Sequence, residues 1–190
     1  MIKIIGGKYK RINIDTPAGL NTRPTSIRLR EAIFNILLHS KHLDDNIENM
    51  EVIDIFAGSG ALGLEALSRG FKSCTFIDNC SEAINIIKNN IKKLNEEKNT
   101  SLIKSDANFP AVTNKKYDIC FFDPPYELKN FSSLLDKWAS SDSVKKNTLY
   151  IYEKHKNIPF NILKGLDIIE KKQYGISEII ILKYLSSSSK

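Results

Sequence analysis

The chain of 190 residues is 42% hydrophobic and 26% charged, and its formal net charge is +6. This length suits one α/β domain with a small appendage. No apolar run approaches the roughly 20 residues that a membrane-spanning helix needs, and the apolar part of the N-terminus is too short for a signal peptide. We therefore expect a cytoplasmic protein without membrane contacts. The three cysteines and three histidines lack the spacing typical of metal ligands, so we expect no metal site.

The positive charge is concentrated near the N-terminus. Residues 1–43 contain eight of the 28 basic residues and two of the 22 acidic ones, so residues 44–190 contain twenty of each sign. Localised positive charge favours a polyanionic partner such as nucleic acid, although a merely solvated basic face has the same composition. We predict a basic N-terminal appendage over residues 1–43, a second domain over residues 44–185 and a disordered tail over residues 186–190.

The appendage is predicted to contain two short strands around a turn or bulge at Gly6 and Gly7. A helix then begins after Thr25 or Ser26, either of which can cap it, and ends near Leu38. Its charged residues are predicted to lie off the buried apolar stripe: Arg28, Arg30 and Glu31. The stretch that follows the turn at Gly6 and Gly7 combines phosphate-binding charge with an aromatic ring that can stack on a base. Its candidate nucleic-acid contacts are Lys8, Tyr9, Lys10 and Arg11.

Residues 52–63 indicate the opening βα unit of a doubly wound sheet. They begin with an apolar run that is typical of a strand buried on both faces of a parallel sheet. A glycine-rich turn follows, and helical spacing resumes over residues 61–68. Such sheets bind ligands at the carboxyl ends of their strands, and the positive end of the next helix dipole points at whatever the turn holds.

The glycine pattern alone leaves the ligand open. Gly58, Gly60 and Gly63 fit the G-x-G-x-x-G pattern of dinucleotide-binding proteins, with acidic Asp78 about 20 residues later. A nicotinamide or flavin oxidoreductase is therefore one candidate. Enzymes that use S-adenosylmethionine (AdoMet) have a similar turn, usually with an acidic residue at the strand end, and Asp54 occupies that place. A purely structural turn is the third possibility.

Two further strands are predicted to end in acidic residues at the same edge of the sheet. The second strand, residues 73–78, ends in Asp78, whose carboxylate can accept both hydroxyls of a ribose. The alternative role for Asp78 is to cap the next helix, predicted over residues 82–94. The third strand, residues 101–104, is followed by Asp106, which can accept an adenine amino proton or stabilise a turn.

The fourth strand, residues 117–122, ends in Asp123-Pro124-Pro125-Tyr126, and this tetrapeptide decides between the candidate ligands. Two successive prolines stiffen the loop and remove two N–H donors, which leaves an array of acceptors. Acceptors beside an aromatic ring suit a planar base with an exocyclic amine, whereas hydride transfer has no such need. The sequence therefore favours methyl transfer from AdoMet to the amine of a base.

The predicted chemistry follows from the weakness of the nucleophile, since the lone pair of an aryl amine is delocalised into the ring. The Asp123 carboxylate and the Pro124 carbonyl can hold both amine protons and favour a tetrahedral nitrogen whose lone pair faces the methyl group. Tyr126 is expected to stack on a base that has left its helix or loop. The transfer is then mainly a matter of positioning.

The C-terminal part is predicted to add strands at residues 149–153, 166–172 and 177–184, and a helix at residues 131–139 that carries Trp138 in the core. A seventh strand that returns beside the sixth as a hairpin is typical of methyltransferases rather than of six-stranded dinucleotide folds. The predicted fold class is an α/β, Rossmann-like class I methyltransferase. Its seven-stranded sheet is mostly parallel with an antiparallel last strand, and a small N-terminal hairpin and helix are added to it.

Four stretches together resemble one family. Residues 4–10 resemble its N-terminal strand, and residues 23–35 match its helix signature R-P-T-x-x-R-x-R-E-x-x-F-N. Residues 56–69 resemble its first cofactor motif and residues 123–126 its catalytic motif. This is the RsmD family, bacterial methyltransferases that place a methyl group on N2 of one guanine in 16S ribosomal RNA. One departure is Ile27, where family members often have an aspartate that could orient neighbouring arginines.

The resemblance implies AdoMet as methyl donor and, as partner of a monomeric enzyme, the 16S RNA of the small ribosomal subunit or its precursor. The implied cofactor contacts are Asp54, Phe56, Gly58, Ser59, Gly60, Asp78, Asn79, Asp106 and Ala107. The implied catalytic residues are Asp123, Pro124, Pro125 and Tyr126. The RNA contacts are expected to extend to Arg23, Thr25 and Arg28. Because D-P-P-Y is shared with other N-methyltransferases, adenine-N6 methylation of DNA or RNA is the alternative, and a nicotinamide-dependent oxidoreductase comes third.

Overall fold

The computed structural model describes residues 1–17, 27–39, 41, 43, 46–110, 113–128 and 130–184. The predicted contacts Arg23 and Thr25 and the predicted tail lie outside the described residues. The strands are β1 (Ile2–Lys3), β2 (Asn13–Ile14), β3 (Glu51–Ile55), β4 (Ser73–Asp78), β5 (Thr100–Lys104), β6 (Tyr117–Phe122), β7 (Val144–His155), β8 (Leu166–Tyr174) and β9 (Ser177–Tyr184). The helices are α1 (Ile27–His39), α2 (Ala61–Ser68), α3 (Ser81–Leu94) and α4 (Phe131–Ala139). Within these residues, no helix combines the length and apolar character needed to cross a bilayer.

Seven strands form one sheet in the order β5-β4-β3-β6-β7-β9-β8. The five strands from β5 to β7 run parallel to their neighbours, whereas β9 runs antiparallel to both β7 and β8. This confirms the predicted fold class, including its antiparallel last strand. The strand order reverses between β3 and β6, and such a switch point opens a crevice at the carboxyl ends of the strands.

Alternating side chains of the strands supply two hydrophobic cores, one on each face of the sheet. Val52 and Phe121 belong to the face covered by α1, α2 and α3, and their neighbours Ile53 and Phe122 belong to the face covered by α4. Ile4 of the N-terminal segment is buried in the first core. The predicted appendage therefore shares the hydrophobic core of the sheet, and its boundary at residue 43 stays a prediction.

Polar side chains of α2 hold the N-terminal segment against the sheet. The buried Glu65 carboxylate accepts hydrogen bonds from the backbone N–H groups of Ile5 and Gly6, each at 2.8 Å, and pairs with Arg69 at 2.7 Å. Gly7 has a positive φ of 73°, and a Cβ there would lie 1.7 Å from the Ser68 carbonyl oxygen. Only glycine permits this close approach of the two backbones.

Two sequence predictions differ from the structure. Arg30, predicted to lie off the buried stripe of α1, is fully buried, and its guanidinium donates a 2.9 Å hydrogen bond to the Lys3 carbonyl. Burial lowers the pKa of Arg30. Strand β7 begins at Val144 rather than Leu149 because its polar first half is held by long-range contacts, such as the 2.7 Å ion pair between Lys145 and Asp118.

Gly63 allows α2 to pack closely on β4, which generates a stability prediction. A Cβ at this position would lie 2.3 Å from Phe76 and 2.5 Å from Cys74 Sγ. We expect Gly63→Ala to lower the free energy of unfolding by about 1–3 kcal/mol through overpacking. Thermal unfolding would show this as a midpoint lower by about 2–12 °C. Ser133→Ala, at an exposed position of α4, is the control, since it adds no atom to the core; equal losses in the two variants would contradict the packing argument.

Candidate active site

The glycine loop and the Asp-Pro-Pro-Tyr loop border one cleft. Strands β3 and β6 are parallel neighbours, with Ile55 opposite Phe122, so the next residues on each strand, Phe56 and Asp123, leave the sheet side by side. The electrostatics agree with this geometry, because the negative charge of Asp123 is one of the influences that raise the pKa of Asp54. The two motifs that the sequence singles out therefore meet at the switch point of the sheet.

The loop after β3 has an unusual backbone. Phe56, Gly58 and Gly60 have positive φ angles of 70°, 56° and 77°, and for the non-glycine Phe56 this conformation is strained. Among the described residues, a Cβ on Gly58 would have only the Phe56 carbonyl oxygen within reach, at 4.0 Å. Strain and open space together mark a loop that is shaped to let a ligand approach its backbone.

Asp54, near the end of β3, connects this loop to the first turn of α2. Its Oδ2 accepts a 2.9 Å hydrogen bond from the Gly63 N–H in the first turn of α2. Its Oδ1 is buried and has no hydrogen-bond partner among the described residues. Burial, together with the nearby charges of Asp123 and Asp78, raises the pKa of Asp54 to about 8.

The other predicted cofactor residues surround the same loop. Asp78 accepts 2.8 Å hydrogen bonds from Gly58 N–H and Cys80 N–H, so its carboxylate braces the glycine loop rather than capping the first turn of α3. Asn79 follows it and is exposed. Asp106 accepts hydrogen bonds from the backbone and side chain of Asn108 at 2.8 and 3.0 Å. The turn role, one of the two alternatives for Asp106, is therefore present in the structure.

These residues fit AdoMet, which carries a positive sulfonium and a positive ammonium group. A donor on a cationic ligand would supply the partner that the buried Asp54 Oδ1 lacks, and its charge would favour the ionised carboxylate. The space beside Gly58 is open to a ligand. The carboxylates of Asp78 and Asp106 lie at neighbouring strand ends, because β4 and β5 pair in parallel with Asp78 opposite Lys104.

Two residues that hold the site were not identified from the sequence. Trp138 is buried as predicted, but its indole N–H also donates a 2.8 Å hydrogen bond to the Ala107 carbonyl and so fixes the loop after β5. Asn90 is fully buried in α3, and its amide donates to the Ser59 and Asp15 carbonyls at 3.0 Å. The sequence signal available for Trp138 was its indole N–H, since a buried donor needs an acceptor.

The Asp-Pro-Pro-Tyr loop presents its aromatic residue at the surface. Asp123 is half-buried and Pro124 is buried, whereas Pro125 is exposed. Tyr126 is 39% exposed, and its ring meets His155 edge to face with the centroids 5.6 Å apart. The loop therefore combines a carboxylate at the cleft with an accessible aromatic face, as base binding requires.

The predicted nucleic-acid contacts fall into two groups. Lys8 forms a 2.5 Å ion pair with Glu96, which raises the pKa of Lys8, and the Tyr9 hydroxyl donates to the same carboxylate at 2.7 Å. Lys10 and Arg11 are exposed. Arg28 is also exposed, near the start of α1.

Comparison with known proteins identifies relatives along nearly the whole chain. A family model described as "Conserved hypothetical protein 95" matches residues 2–183. The ribosomal RNA small subunit methyltransferase D of Buchnera aphidicola subsp. Acyrthosiphon pisum is 35% identical over 173 residues, which cover 90% of this chain and 87% of that protein. The protein of the same name from Escherichia coli K12 is 36% identical over 149 residues, covering 75% and 72%. The solved structure of yhhF from Escherichia coli, a proposed methyltransferase, superimposes with a TM-score of 0.80 at 26% identity, covering 96% of this chain and 97% of that one.

The raised pKa of Asp54 generates a prediction for Asp54→Asn. A carboxylate whose ionised form is destabilised by burial lowers the stability of the folded state progressively as the pH rises from its unfolded pKa of about 4 to its folded pKa, the latter about 8. The loss is complete above the folded pKa. Asparagine keeps the acceptor for Gly63 N–H without the charge, so the melting temperature should rise. The difference between variant and wild type should widen from pH 5 to pH 8, with about 2–4 °C for each kcal/mol.

The same substitution should weaken binding of S-adenosylhomocysteine roughly tenfold or more, because a charge-assisted contact to the ligand ammonium is lost. Calorimetry and thermal unfolding measure the two effects. Asp136→Asn, at an exposed carboxylate of α4, is the control and should change neither. A melting difference that is identical at pH 5 and pH 8 would contradict the assignment of a buried, partly protonated Asp54.

The indole hydrogen bond generates a second prediction, for Trp138→Phe. Phenylalanine retains most of the buried ring but leaves the Ala107 carbonyl without its donor, at a cost of about 1 kcal/mol. We expect the affinity for S-adenosylhomocysteine to fall by about 3–10-fold when the loop loosens. Leu134→Val, another change in the α4 core that removes no hydrogen bond, should lower the melting temperature without lowering this affinity. Equal affinities of the two variants for S-adenosylhomocysteine would contradict the role of Trp138 in holding the loop.

Proposed function

Since the chain belongs to the RsmD family, we propose that it is an AdoMet-dependent methyltransferase acting on the exocyclic N2 amine of a guanine in 16S ribosomal RNA. The observation that carries the proposal is the meeting of Asp123 and Asp54 at the switch point of the sheet. Asp123 belongs to the Asp-Pro-Pro-Tyr loop, residues 123–126, called the acceptor loop below. Asp54 lies near the end of β3, just before the glycine loop of residues 56–60. Methyl transfer needs a base amine and a methyl donor in contact, and this is the geometry that brings their two binding loops together.

The residues of the acceptor loop would prepare the amine for attack. The Asp123 carboxylate and the Pro124 carbonyl accept its two protons, which favours a tetrahedral nitrogen with its lone pair directed at the cleft. The exposed ring of Tyr126 stacks on the base and keeps it in that orientation. After transfer the nitrogen is a strongly acidic ammonium, so its proton passes to Asp123 or to water without a dedicated base.

The glycine loop and its neighbours would hold AdoMet, which supplies an electrophilic methyl group. Asp54 faces the positively charged end of the ligand, and the backbone of Phe56, Gly58, Ser59 and Gly60 lets it approach closely. Asp78, followed by Asn79, is suited to the ribose hydroxyls. Asp106 and Ala107 are suited to the adenine ring, with Trp138 fixing the Ala107 carbonyl from behind.

The RNA would be recognised in part by the basic N-terminal segment. Lys10, Arg11 and Arg28 are exposed and ready for phosphate contacts. Lys8 and Tyr9 first have to release Glu96, so their contribution depends on exchanging that carboxylate for a phosphate or a base. The proposed partner is the small ribosomal subunit or its precursor, and the enzyme is expected to act as a cytoplasmic monomer.

The test is methyl transfer to 16S ribosomal RNA from cells that lack the gene. We expect the purified protein to transfer one methyl group from labelled AdoMet, and nucleoside mass analysis to identify the product as N2-methylguanosine. Formation of N6-methyladenosine would support the alternative target. A protein that binds NADH and does not bind S-adenosylhomocysteine would contradict the methyltransferase assignment.

Asp123→Asn tests the role of the acceptor loop in the same assay. The amide replaces one acceptor oxygen by a donor that opposes the amine protons, so kcat should fall by about 100-fold or more. Affinity for S-adenosylhomocysteine should stay within a few fold of wild type, because Asp123 acts on the base. Glu127→Gln, an exposed change on the same loop, is the control and should retain activity. A collapse of cofactor affinity in Asp123→Asn would show that this carboxylate has a different role.

A further inference from the structure

An aromatic strip with exposed ends, Tyr126 and Tyr174, and half-buried His155 between them continues from the acceptor loop across the carboxyl edge of the sheet. Tyr126 contacts His155 at the end of β7. His155 lies opposite Ser177 on β9, and Ser177 lies opposite Tyr174 at the end of β8. Residues directly opposite each other share a face of the sheet, and neighbouring strands are about 4.8 Å apart. Tyr174 therefore lies about 10 Å beyond His155 on the same face.

A buried lysine fixes the strand ends beneath this strip. Lys154 Nζ donates to the carbonyls of His155 and Ile158 at 3.2 and 2.7 Å and forms a 2.7 Å ion pair with Glu178 on β9. The side chain is 4% exposed. The edge that carries the aromatic strip is therefore held in place before any partner arrives, which lowers the cost of binding.

Tyr174 also forms one end of a groove of about 500 Å³ between β8 and α1. Lys172 and Glu170 continue the β8 wall, and Arg28 and Glu31 belong to the α1 wall. Tyr174 is 37% exposed. The volume lies in the range of small-molecule sites, 300–1,000 Å³, and is therefore sufficient for one nucleotide.

The lining of the groove suits a nucleotide better than a simple anion. Arg28 and Lys172 are exposed cations that can contact phosphate, and the ring of Tyr174 can stack on a base. Lys172 pairs with Glu170 at 3.4 Å, so its phosphate contact would replace that carboxylate. Glu31 and Glu170 also line the groove and would repel a bare phosphate there. Carboxylates do accept hydrogen bonds from the amino groups of bases, as in the contact of Glu with cytosine N4.

We propose that this groove is a second nucleotide-binding subsite, which holds a nucleotide of the substrate RNA that flanks the methylated guanine. The proposal rests on the proposed function and extends it from the target base to its neighbourhood. The RNA lies along the strip between the acceptor loop and the groove, where it contacts Tyr126, His155 and Tyr174. Tyr174 stacks on the flanking base, Arg28 and Lys172 contact its phosphate, and Glu31 accepts from its edge.

The test compares Tyr174→Ala with Tyr174→Phe, using full-length protein and unmethylated 16S ribosomal RNA. Stacking on one base is worth about 1–3 kcal/mol, so the alanine variant should raise KM for the RNA by about 5–150-fold. The phenylalanine variant retains the ring and should stay within about twofold of wild type. The kcat at saturating RNA, the affinity for S-adenosylhomocysteine and the melting temperature should be unchanged in both variants.

A charge reversal at Lys172 tests the proposed phosphate contact independently of the stacking. Lys172→Glu should weaken RNA binding and reduce the steepness of its salt dependence, because a phosphate contact is lost. Lys164→Glu is the matched control, since Lys164 is an exposed lysine just before the opposite end of β8. It should leave both quantities within about twofold of wild type.

The outcomes separate the subsite from the function that it extends. Wild-type protein that binds S-adenosylhomocysteine but methylates no ribosomal RNA would overturn the proposed function. Wild-type activity together with an unchanged KM in Tyr174→Ala would overturn the subsite alone. A joint loss of kcat, cofactor affinity and melting temperature in Tyr174→Ala would also overturn it, because Tyr174 would then be a structural residue.

Discussion

The structure of the candidate site depends on one buried carboxylate. Asp54 ties the end of β3 to the first turn of α2 through Gly63 N–H, and this bond sets the path of the glycine loop between them. The same side chain has an oxygen without a partner among the described residues and a pKa raised to about 8 by burial and by the neighbouring acids. Such an arrangement costs free energy in the unliganded protein. The proposed cationic ligand would offset that cost, which would explain why a destabilising group occupies the expected ligand site.

The N-terminal segment is joined to this site by polar contacts rather than by a flexible linker. Glu65 binds Ile5 and Gly6 from α2, the helix that begins at the glycine loop. Asn90 binds Asp15 and the Ser59 carbonyl of the loop itself. The segment that carries the excess positive charge therefore shares both its hydrophobic core and two buried polar anchors with the cofactor loop. Its position relative to the cleft is fixed by the fold.

The sequence was sufficient to predict the sheet, because its strands are short apolar runs and its turns contain glycine or proline. Helix α2 and strands β4 and β6 begin and end at the predicted residues. The sequence also identified the acceptor loop as part of the candidate site, since its hydrogen-bond acceptors and its aromatic ring lie in four consecutive residues. The anchoring contacts of Arg30, Asn90 and Glu65 were not predictable, because each binds backbone groups distant in sequence and leaves no local pattern. Trp138 was predicted to be core, but its hydrogen bond to Ala107 depends on packing between α4 and the loop after β5.

The role proposed for the acceptor loop would account for methylation of an amine, but it would not select one amine among many. Guanine N2 and adenine N6 are both planar exocyclic amines with two protons, so the Asp123 carboxylate and the Pro124 carbonyl would accept either. Discrimination would then come from contacts to the remaining edge of the flipped base and from contacts that fix where the RNA lies. The described surface offers contacts of the second kind along the groove that ends at Tyr174. Lys10 and Arg11 belong to a segment farther from Tyr126, since Lys8 N–H donates to the Ser68 carbonyl at 2.7 Å, at the end of α2 remote from the glycine loop. On the proposed function, the chemistry would follow from the acceptor loop and the choice of base in part from the path of the RNA strand.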